Sequence, residues 1–207
     1  MLTTLRFTSL ILTLLLLFTN CTTNIPKPMI SQVKNDIITW DPEDEHGEWK
    51  DCSNNMGDHA CNFEFIDQHG NEWELYNHYG NIIILDFSTM WCSVCQVAAS
   101  KAQSIQELYE GRRVIWVTVL IQDLYGMSVS VEDAKIWANT FDITTSPVLA
   151  ADASIANPAE EKSFSIQSLP TIVIIDRKMV TSYRSEGWSE ARILNQIDHM
   201  LDIEARN

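Results

Sequence analysis

The sequence predicts an α/β domain built on a mixed central sheet with helices on both faces. Apolar runs without alternation, typical of buried central strands, occur at residues 82–85, 113–121 and 172–175. Segments with apolar residues at helical spacing lie between and after these runs. The chain has 207 residues, 45% of them hydrophobic, which suits one globular domain with terminal extensions.

The first extension, residues 1–20, has the pattern of a signal peptide. Arg6 is followed by an apolar stretch over residues 7–18, which is too short to span a bilayer as a helix. Phe18-Thr19-Asn20-Cys21 resembles a bacterial lipobox, although Asn20 and Phe18 depart from its usual residues. That resemblance implies a lipidated Cys21 that anchors the protein to a membrane. An ordinary cleaved signal and an uncleaved anchor stay open, and each alternative predicts an extracytoplasmic location in the periplasm or cell envelope.

Residues 21–50 are predicted to form a tether between this segment and the domain. They show little periodicity, carry Pro26 and Pro28, and are acidic over residues 41–45. The prolines stiffen such a linker, which would hold the domain off a membrane surface. Trp40 and Trp49 are unusual in a free linker and suggest that its end packs on the domain.

The predicted domain, residues 51–207, opens with two cysteines. Cys52 and Cys61 flank a loop rich in Gly, Asn and Asp, which in an exported protein predicts a local structural disulfide. A second redox pair that relays electrons to Cys92 and Cys95 is the first alternative. A weak metal site with His59 is the second. Next, residues 62–66 and 72–75 alternate apolar and polar around a turn, which predicts a β-hairpin.

The central chemical feature is the pair Cys92 and Cys95, which follows the apolar run at residues 82–85. A helical pattern over residues 96–109 predicts that Cys92 lies at a helix N-terminus, with Val97, Ala98, Ala102, Ile105, Leu108 and Tyr109 on one apolar face. Unpaired N–H groups and the helix dipole favour a thiolate there. We therefore expect Cys92 to be the nucleophile and Cys95 to resolve its mixed disulfides. A zinc site would need two further ligands at similar spacing.

The rest of the chain completes the predicted sheet. Residues 113–121 form a buried strand, Ser130 and Asp133 cap a helix over residues 134–141, and residues 147–150 form a short strand. The strand at residues 172–176 should pair antiparallel with residues 179–183. Ser189 should cap a last helix with an apolar face, formed by Ile193, Ile197, Met200 and Leu201.

WCSVC after a strand resembles the W-C-x-x-C motif of the thioredoxin superfamily. With the preceding hairpin, the chain from residue 60 to its end resembles the TlpA/ResA-like thioredoxin domains and related redoxins. The resemblance implies a thioredoxin fold and a thiol–disulfide oxidoreductase that reduces or exchanges disulfides in extracytoplasmic proteins. Its implied partners are protein thiols and disulfides and an upstream electron donor. It implies no cofactor and no metal.

The resemblance also implies roles for single residues. Asp86, six residues before Cys92, corresponds to a buried aspartate that helps to deprotonate the resolving cysteine, here Cys95. Ser168-Leu169-Pro170-Thr171 is similar to the cis-proline loop of the superfamily, which faces the cysteine pair. Trp91, Leu169 and Pro170 are therefore the expected substrate-binding residues.

Departures from related patterns keep other chemistries open. Many TlpA/ResA-like reductases have a glutamate where this chain has Ala98, so the acid–base role would fall on Asp86 alone. A peroxiredoxin-like peroxidase is an alternative, for which Thr89 fits the motif but Leu85 stands in place of its proline. A non-enzymatic copper chaperone of the same fold is another. It would need a different cysteine spacing and a loop histidine, whereas His199 falls in the last helix.

The net charge of the chain limits the partners that it is expected to bind. Lys and Arg number 14 against 28 Asp and Glu, a net charge of −14. So acidic a chain is not expected to bind nucleic acid or to lie flat on anionic lipid. Basic or unfolded polypeptides remain compatible with it.

Overall fold

The computed structural model describes residues 49–160 and 162–206. The predicted signal peptide, Cys21 and nearly all of the tether lie outside the described residues. The predicted division into residues 1–20, 21–50 and 51–207 therefore stays a prediction.

Seven strands and three α-helices make up the described domain. The strands are β1 (Glu64–Asp67), β2 (Glu72–Glu74), β3 (Ile82–Thr89), β4 (Val114–Gln122), β5 (Val148–Ala150), β6 (Thr171–Ile175) and β7 (Thr181–Glu186). The helices are α1 (Ser93–Leu108), α2 (Val131–Thr140) and α3 (Glu190–Glu204), with short 3-10 helices at Leu75–His78 and Ala153–Ala156. Each predicted element is present within a few residues of its expected position.

The strands form one mixed sheet in the order β2-β1-β5-β4-β3-β6-β7. β3 lies in its centre, paired parallel with β4 and antiparallel with β6, and all eight of its residues are buried. β1 and β2 form the expected hairpin, and β6 pairs antiparallel with β7. The predicted thioredoxin fold with a mixed sheet is confirmed.

Both faces of the sheet are covered, and the alternation of side chains along β3 separates them. Ile82 and Ile84 pack on the face that carries α1, α2 and α3. Ile83, Leu85 and Phe87 pack on the other face, against residues of the two 3-10 helices and Phe164. A strand covered on both sides needs no polar alternation, which explains the unbroken apolar run in the sequence.

The helix ends are set by local sequence. Ser130 caps α2 and forms a reciprocal capping box with Asp133, as predicted. Ser189 is the N-cap of α3, but its side chain makes no capping hydrogen bond. The predicted apolar face of α3 is buried.

The predicted apolar face of α1 is partly wrong. Ala98, Ala102, Ile105 and Tyr109 are buried, as expected, but Val97 and Leu108 are exposed, and Cys95 and Ala99 are buried with the core instead. The helix is therefore rotated relative to the predicted face, because its buried stripe includes the second cysteine.

The strand register defines two opposite ends of the sheet. Phe87 pairs with Thr171, and Ile83 pairs with Ile175. The last residues of β3 and β4 and the first of β6 therefore meet at one end, which we call the Cys92 end. The turn between β6 and β7 lies at the opposite end, which we call the turn end.

The first described residues pack at the turn end. Trp49 stacks on His59 with ring centroids 4.5 Å apart and meets Tyr76 edge to face at 5.0 Å. His59 forms a bridge with Val180, just after the β6–β7 turn. The expectation that the end of the tether packs on the domain holds for Trp49, whereas Trp40 lies outside the described residues. Among the residues described, no helix is both long and apolar enough to cross a membrane.

Candidate active site

Cys92 is the N-cap of α1, immediately after the turn that follows β3. Its N–H donates to the carbonyl of Thr89 at 3.3 Å, and its carbonyl accepts the N–H of Gln96 at 3.1 Å, which begins the helix. The Cys92 Sγ atom accepts the N–H of Cys95 at 3.2 Å. A sulfur in this position faces unpaired backbone N–H groups and the positive end of the helix dipole, both of which stabilise a thiolate.

Cys92 and Cys95 form a disulfide with Cα atoms 5.2 Å apart. Cys92 is 8% exposed, whereas Cys95 is completely buried in the first turn of α1. A partner sulfur can therefore reach Cys92 first, and Cys95 only through Cys92. This asymmetry matches the attacking and resolving roles that the motif predicts.

Asp86 is completely buried within β3. Burial raises the pKa of its carboxyl to about 7, and a hydrogen bond from Ser88 opposes part of that rise. No described residue donates a hydrogen bond to its Oδ2 atom. An acid with a pKa near neutrality can both take and release a proton under ordinary conditions.

The position of Asp86 in the sheet relates it to the cysteines. It lies opposite Thr118 of β4 and Ile172 of β6. By strand alternation it shares its face with Ile84, which packs in the same cluster as Cys95. The carboxyl therefore lies on the side of the sheet that α1 covers, beneath the helix that carries both cysteines.

The Leu169–Pro170 peptide bond is cis, as the resemblance implied. β6 begins at Thr171, opposite Phe87, so this loop lies at the Cys92 end. The Pro170 carbonyl accepts the N–H of Gly187 at 2.7 Å, and the Thr171 hydroxyl donates to the carbonyl of Ser168, also at 2.7 Å. These two hydrogen bonds fix the conformation of the loop. Leu169 is partly buried and packs against the apolar clusters on both faces of the sheet.

Trp91 is 51% exposed and directly precedes the nucleophile. Its indole Nε1 donates to Oε1 of Gln122 at 3.0 Å, while the Gln122 carbonyl accepts the N–H of Met90, also at 3.0 Å. Gln122 therefore fixes both the backbone and the side chain next to Cys92. Sequence reasoning missed this residue. The available signal was a polar residue ending an otherwise apolar strand.

Cys52 and Cys61 also form a disulfide, with Cα atoms 5.0 Å apart. Their loop is held at the turn end, where Ala60 N–H donates to Met179 and Gly57 N–H donates to Thr181. The eight residues of β3 separate the two ends of the sheet by roughly 20 Å. Electron relay between the two disulfides of one molecule is not compatible with this separation.

The metal alternatives find no support in the described part of the chain. No group of three or more His, Cys, Asp or Glu residues within residues 49–160 and 162–206 could hold a metal ion. His59, the third ligand considered for the Cys52 loop, has its Nδ1 atom 3.1 Å from the carbonyl of Lys178. His199 lies exposed on α3.

A thioredoxin fold with a disulfide at the start of α1 defines a class of protein, the thioredoxin-like thiol–disulfide oxidoreductases. The chain belongs to the AhpC/TSA family, which matches residues 56–184. The predicted enzyme class is confirmed at this level. None of the curated proteins compared with the chain matches it.

Solved structures share the fold at low sequence identity. A thiol:disulfide interchange protein from Chlorobium tepidum is 19% identical, with a TM-score of 0.57, over 71% of this chain and 98% of that one. The exposed lipoprotein thioredoxin of Streptococcus pneumoniae is 24% identical, with a TM-score of 0.56, over 67% and 99%. The thioredoxin domain of a thiol-disulfide oxidoreductase from Bacteroides vulgatus is 16% identical, with a TM-score of 0.59, over 71% and 98%.

Proposed function

We propose that this protein is an extracytoplasmic protein-disulfide reductase in which Cys92 attacks and Cys95 resolves. The observation that supports this most strongly is the unequal access to the two sulfurs. Cys92 is 8% exposed at a helix N-terminus, and Cys95 is completely buried one turn later. A pair that only stabilised the fold would gain nothing from having one sulfur at a helix N-terminus, in a position that favours its thiolate.

The reaction begins with the reduced pair. The Cys92 thiolate attacks one sulfur of a substrate disulfide, the substrate S–S bond breaks, and the other substrate sulfur leaves as a thiolate that takes up a proton. Cys95 then loses its proton to Asp86 and attacks Cys92, which releases the second substrate sulfur. The substrate gains two electrons and becomes a dithiol, while Cys92 and Cys95 become a disulfide.

A donor dithiol must then reduce the Cys92–Cys95 disulfide, and the steps of substrate reduction run in reverse. The partner thiolate reaches Cys92, because Cys95 is buried. We propose that Trp91, Leu169 and the cis-Pro170 loop border the site where both partners bind. Their places around the end of β3 support this assignment. Export by residues 1–20 and anchoring through a lipid on Cys21 complete the proposal and rest on the sequence pattern.

The test measures reduction of insulin by the prereduced protein. The wild-type protein should reduce insulin, Cys92→Ser should abolish the reaction, and Cys95→Ser should accumulate an insulin mixed disulfide. The matched control is Cys52→Ala/Cys61→Ala, which removes the distant disulfide and should keep full activity. An inactive wild-type protein, or an active Cys92→Ser variant, would refute the proposal.

The same preparations separate the alternatives. Tight one-to-one Cu(I) binding by the reduced protein without insulin reduction would favour the chaperone. Rapid consumption of hydrogen peroxide would favour the peroxidase, for which Thr89 provides a buried hydroxyl three residues before Cys92.

A further inference from the structure

Three uncharged segments of the chain border the redox site of this strongly acidic protein. Three segments, residues 87–100, 124–131 and 163–175, contain no charged residue, although the chain has a net charge of −14. They include the end of β3 with the start of α1, the loop after β4, and the approach to β6. The sheet brings these three places to the Cys92 end. The segments themselves are therefore uncharged, although β7 places Glu186 opposite Thr171 and the Arg184 guanidinium against the carbonyls of Phe164 and Ser165.

The loop after β4 is held rigidly by its own hydrogen bonds. The Asp123 carboxylate Oδ1 accepts the N–H groups of Tyr125 and Met127, both at 2.8 Å. Asp123 N–H donates to the carbonyl of Met127 at 2.9 Å, and Gly126 N–H donates to the carbonyl of Asp123 at 3.2 Å. Gly126 has a φ of 79°, which glycine adopts without strain. The loop is therefore preorganised.

This rigid loop presents large apolar side chains to solvent. Leu124 is 57% exposed, Tyr125 88% and Met127 66%. The loop starts directly after Gln122, whose side chain holds the exposed indole of Trp91. Single exposed apolar residues are ordinary, but a group of them beside a reactive site marks an interaction surface. A rigid surface also loses little conformational entropy when a partner binds.

We propose that the exposed side chains of Leu124, Tyr125 and Met127 form a docking surface for uncharged, apolar residues that flank the disulfide of an extended polypeptide substrate. This inference rests on the proposed function. Trp91 and the exposed Val94 extend the surface from the loop to Cys92. A charged flanking residue would lose hydration against these apolar side chains, which disfavours it. The substrate class is thus apolar segments of incompletely folded proteins, and the net charge of the whole enzyme does not select it.

The test compares two synthetic peptides that each contain one intramolecular disulfide, flanked by Leu and Phe in one and by Ser in the other. Single-turnover stopped-flow kinetics of the prereduced protein measure the rate constant for each peptide. The wild-type protein should react roughly tenfold faster with the apolar peptide, as expected for partial burial of a few side chains. Leu124→Ser/Tyr125→Ser/Met127→Ser should lose most of this preference. The single variant Tyr125→Ser, which leaves the loop backbone bonds intact, should lose part of the preference.

Two controls isolate the docking effect. 2-Hydroxyethyl disulfide is uncharged and too small to span from Cys92 to the loop, so the wild-type and triple-variant proteins should reduce it at the same rate. Leu108→Ser removes an equally exposed apolar residue, 62% exposed at the far end of α1, and should keep the full peptide preference.

Several outcomes would overturn the inference. These are equal wild-type rates with both peptides, a preference that is undiminished in the triple variant, and a preference lost in Leu108→Ser. Sedimentation that shows a dimer dissolved by the triple substitution, with the peptide preference unchanged, would assign the loop to a second copy of the chain. A wild-type protein that reacts with no disulfide, including 2-hydroxyethyl disulfide, would refute the proposed function itself.

Discussion

Asp86 and Ser88 lie two residues apart on the same face of β3, and the Ser88 hydroxyl donates a 2.8 Å hydrogen bond to Oδ1 of Asp86. This is the one hydrogen bond found for the carboxyl among the described residues, because Oδ2 is buried without a donor. Burial outweighs that bond and raises the pKa of Asp86 to about 7. The carboxyl therefore titrates in the range where the redox reaction takes place.

The raised pKa predicts how stability depends on pH. An unfolded Asp86 titrates near pH ~4 and the folded one near 7, so the folded state binds the extra proton between these values. For the oxidised wild-type protein, the Asp86 contribution to the free energy of unfolding should fall by about 4 kcal/mol from pH 4 to pH 7 and then level off. Asp86→Asn removes this contribution.

Urea titrations of oxidised wild-type and Asp86→Asn proteins between pH 4 and pH 8 measure the difference. The comparison cancels groups common to both, including His78, whose pKa is lowered by burial. The stability of the variant relative to wild type should rise steadily up to about pH 7. A difference independent of pH would show that Asp86 titrates normally.

The same carboxyl should control the resolution step. Ionised Asp86 takes the proton of Cys95, so the wild-type rate of resolution should rise with pH through about 7. Asp86→Asn should lack this rise and recover only where the Cys95 thiol ionises unaided. At pH 8 we expect a loss on the order of a hundredfold. Stopped-flow release of thiol from a Cys92 mixed disulfide measures the step.

Ser88→Ala is the matched variant for this profile. It keeps the carboxylate but removes the hydrogen bond that lowers its pKa. The inflection should move to higher pH while the limiting rate stays near wild type. Identical profiles for wild-type and Asp86→Asn proteins would reduce Asp86 to a structural residue.

The unequal access of the two active-site sulfurs predicts unequal alkylation. In a Cys52→Ala/Cys61→Ala background reduced with dithiothreitol, iodoacetamide at pH 7 should label Cys92 much faster than Cys95. The reasons are the exposure of Cys92 and the N–H groups around its sulfur. Mass spectrometry of timed samples gives both rates. Similar rates would remove the basis for naming Cys92 the nucleophile.

The Cys52–Cys61 disulfide should stabilise the domain without contributing to turnover. Closing a loop of sequence separation 9 contributes about 2–3 kcal/mol on the chain-entropy model. Cys52→Ala/Cys61→Ala should lower the melting temperature by roughly 5–10 °C for a domain of this size. Calorimetry measures the change in melting temperature, and insulin reduction measures turnover. A folded double variant that no longer reduces insulin would support the hypothesis of electron relay between the two disulfides.

The sequence allowed most of the fold to be predicted because its strands are strongly apolar and its cysteine motif has a fixed spacing. The buried face of α1 was harder to predict from the sequence. Periodicity groups Val97 and Leu108 with the buried residues, but only the packed sheet decides which stripe of a helix it covers. The hydrogen bond between Trp91 and Gln122 could not be predicted for a related reason. The two residues are 31 positions apart in the sequence and meet only once β3 and β4 are paired.

The described chain enters the domain at Trp49, which packs against His59 and Tyr76 at the turn end. Cys92 lies at the other end of β3. The residues before Trp49 therefore join the domain at the end of the sheet opposite the thiol pair.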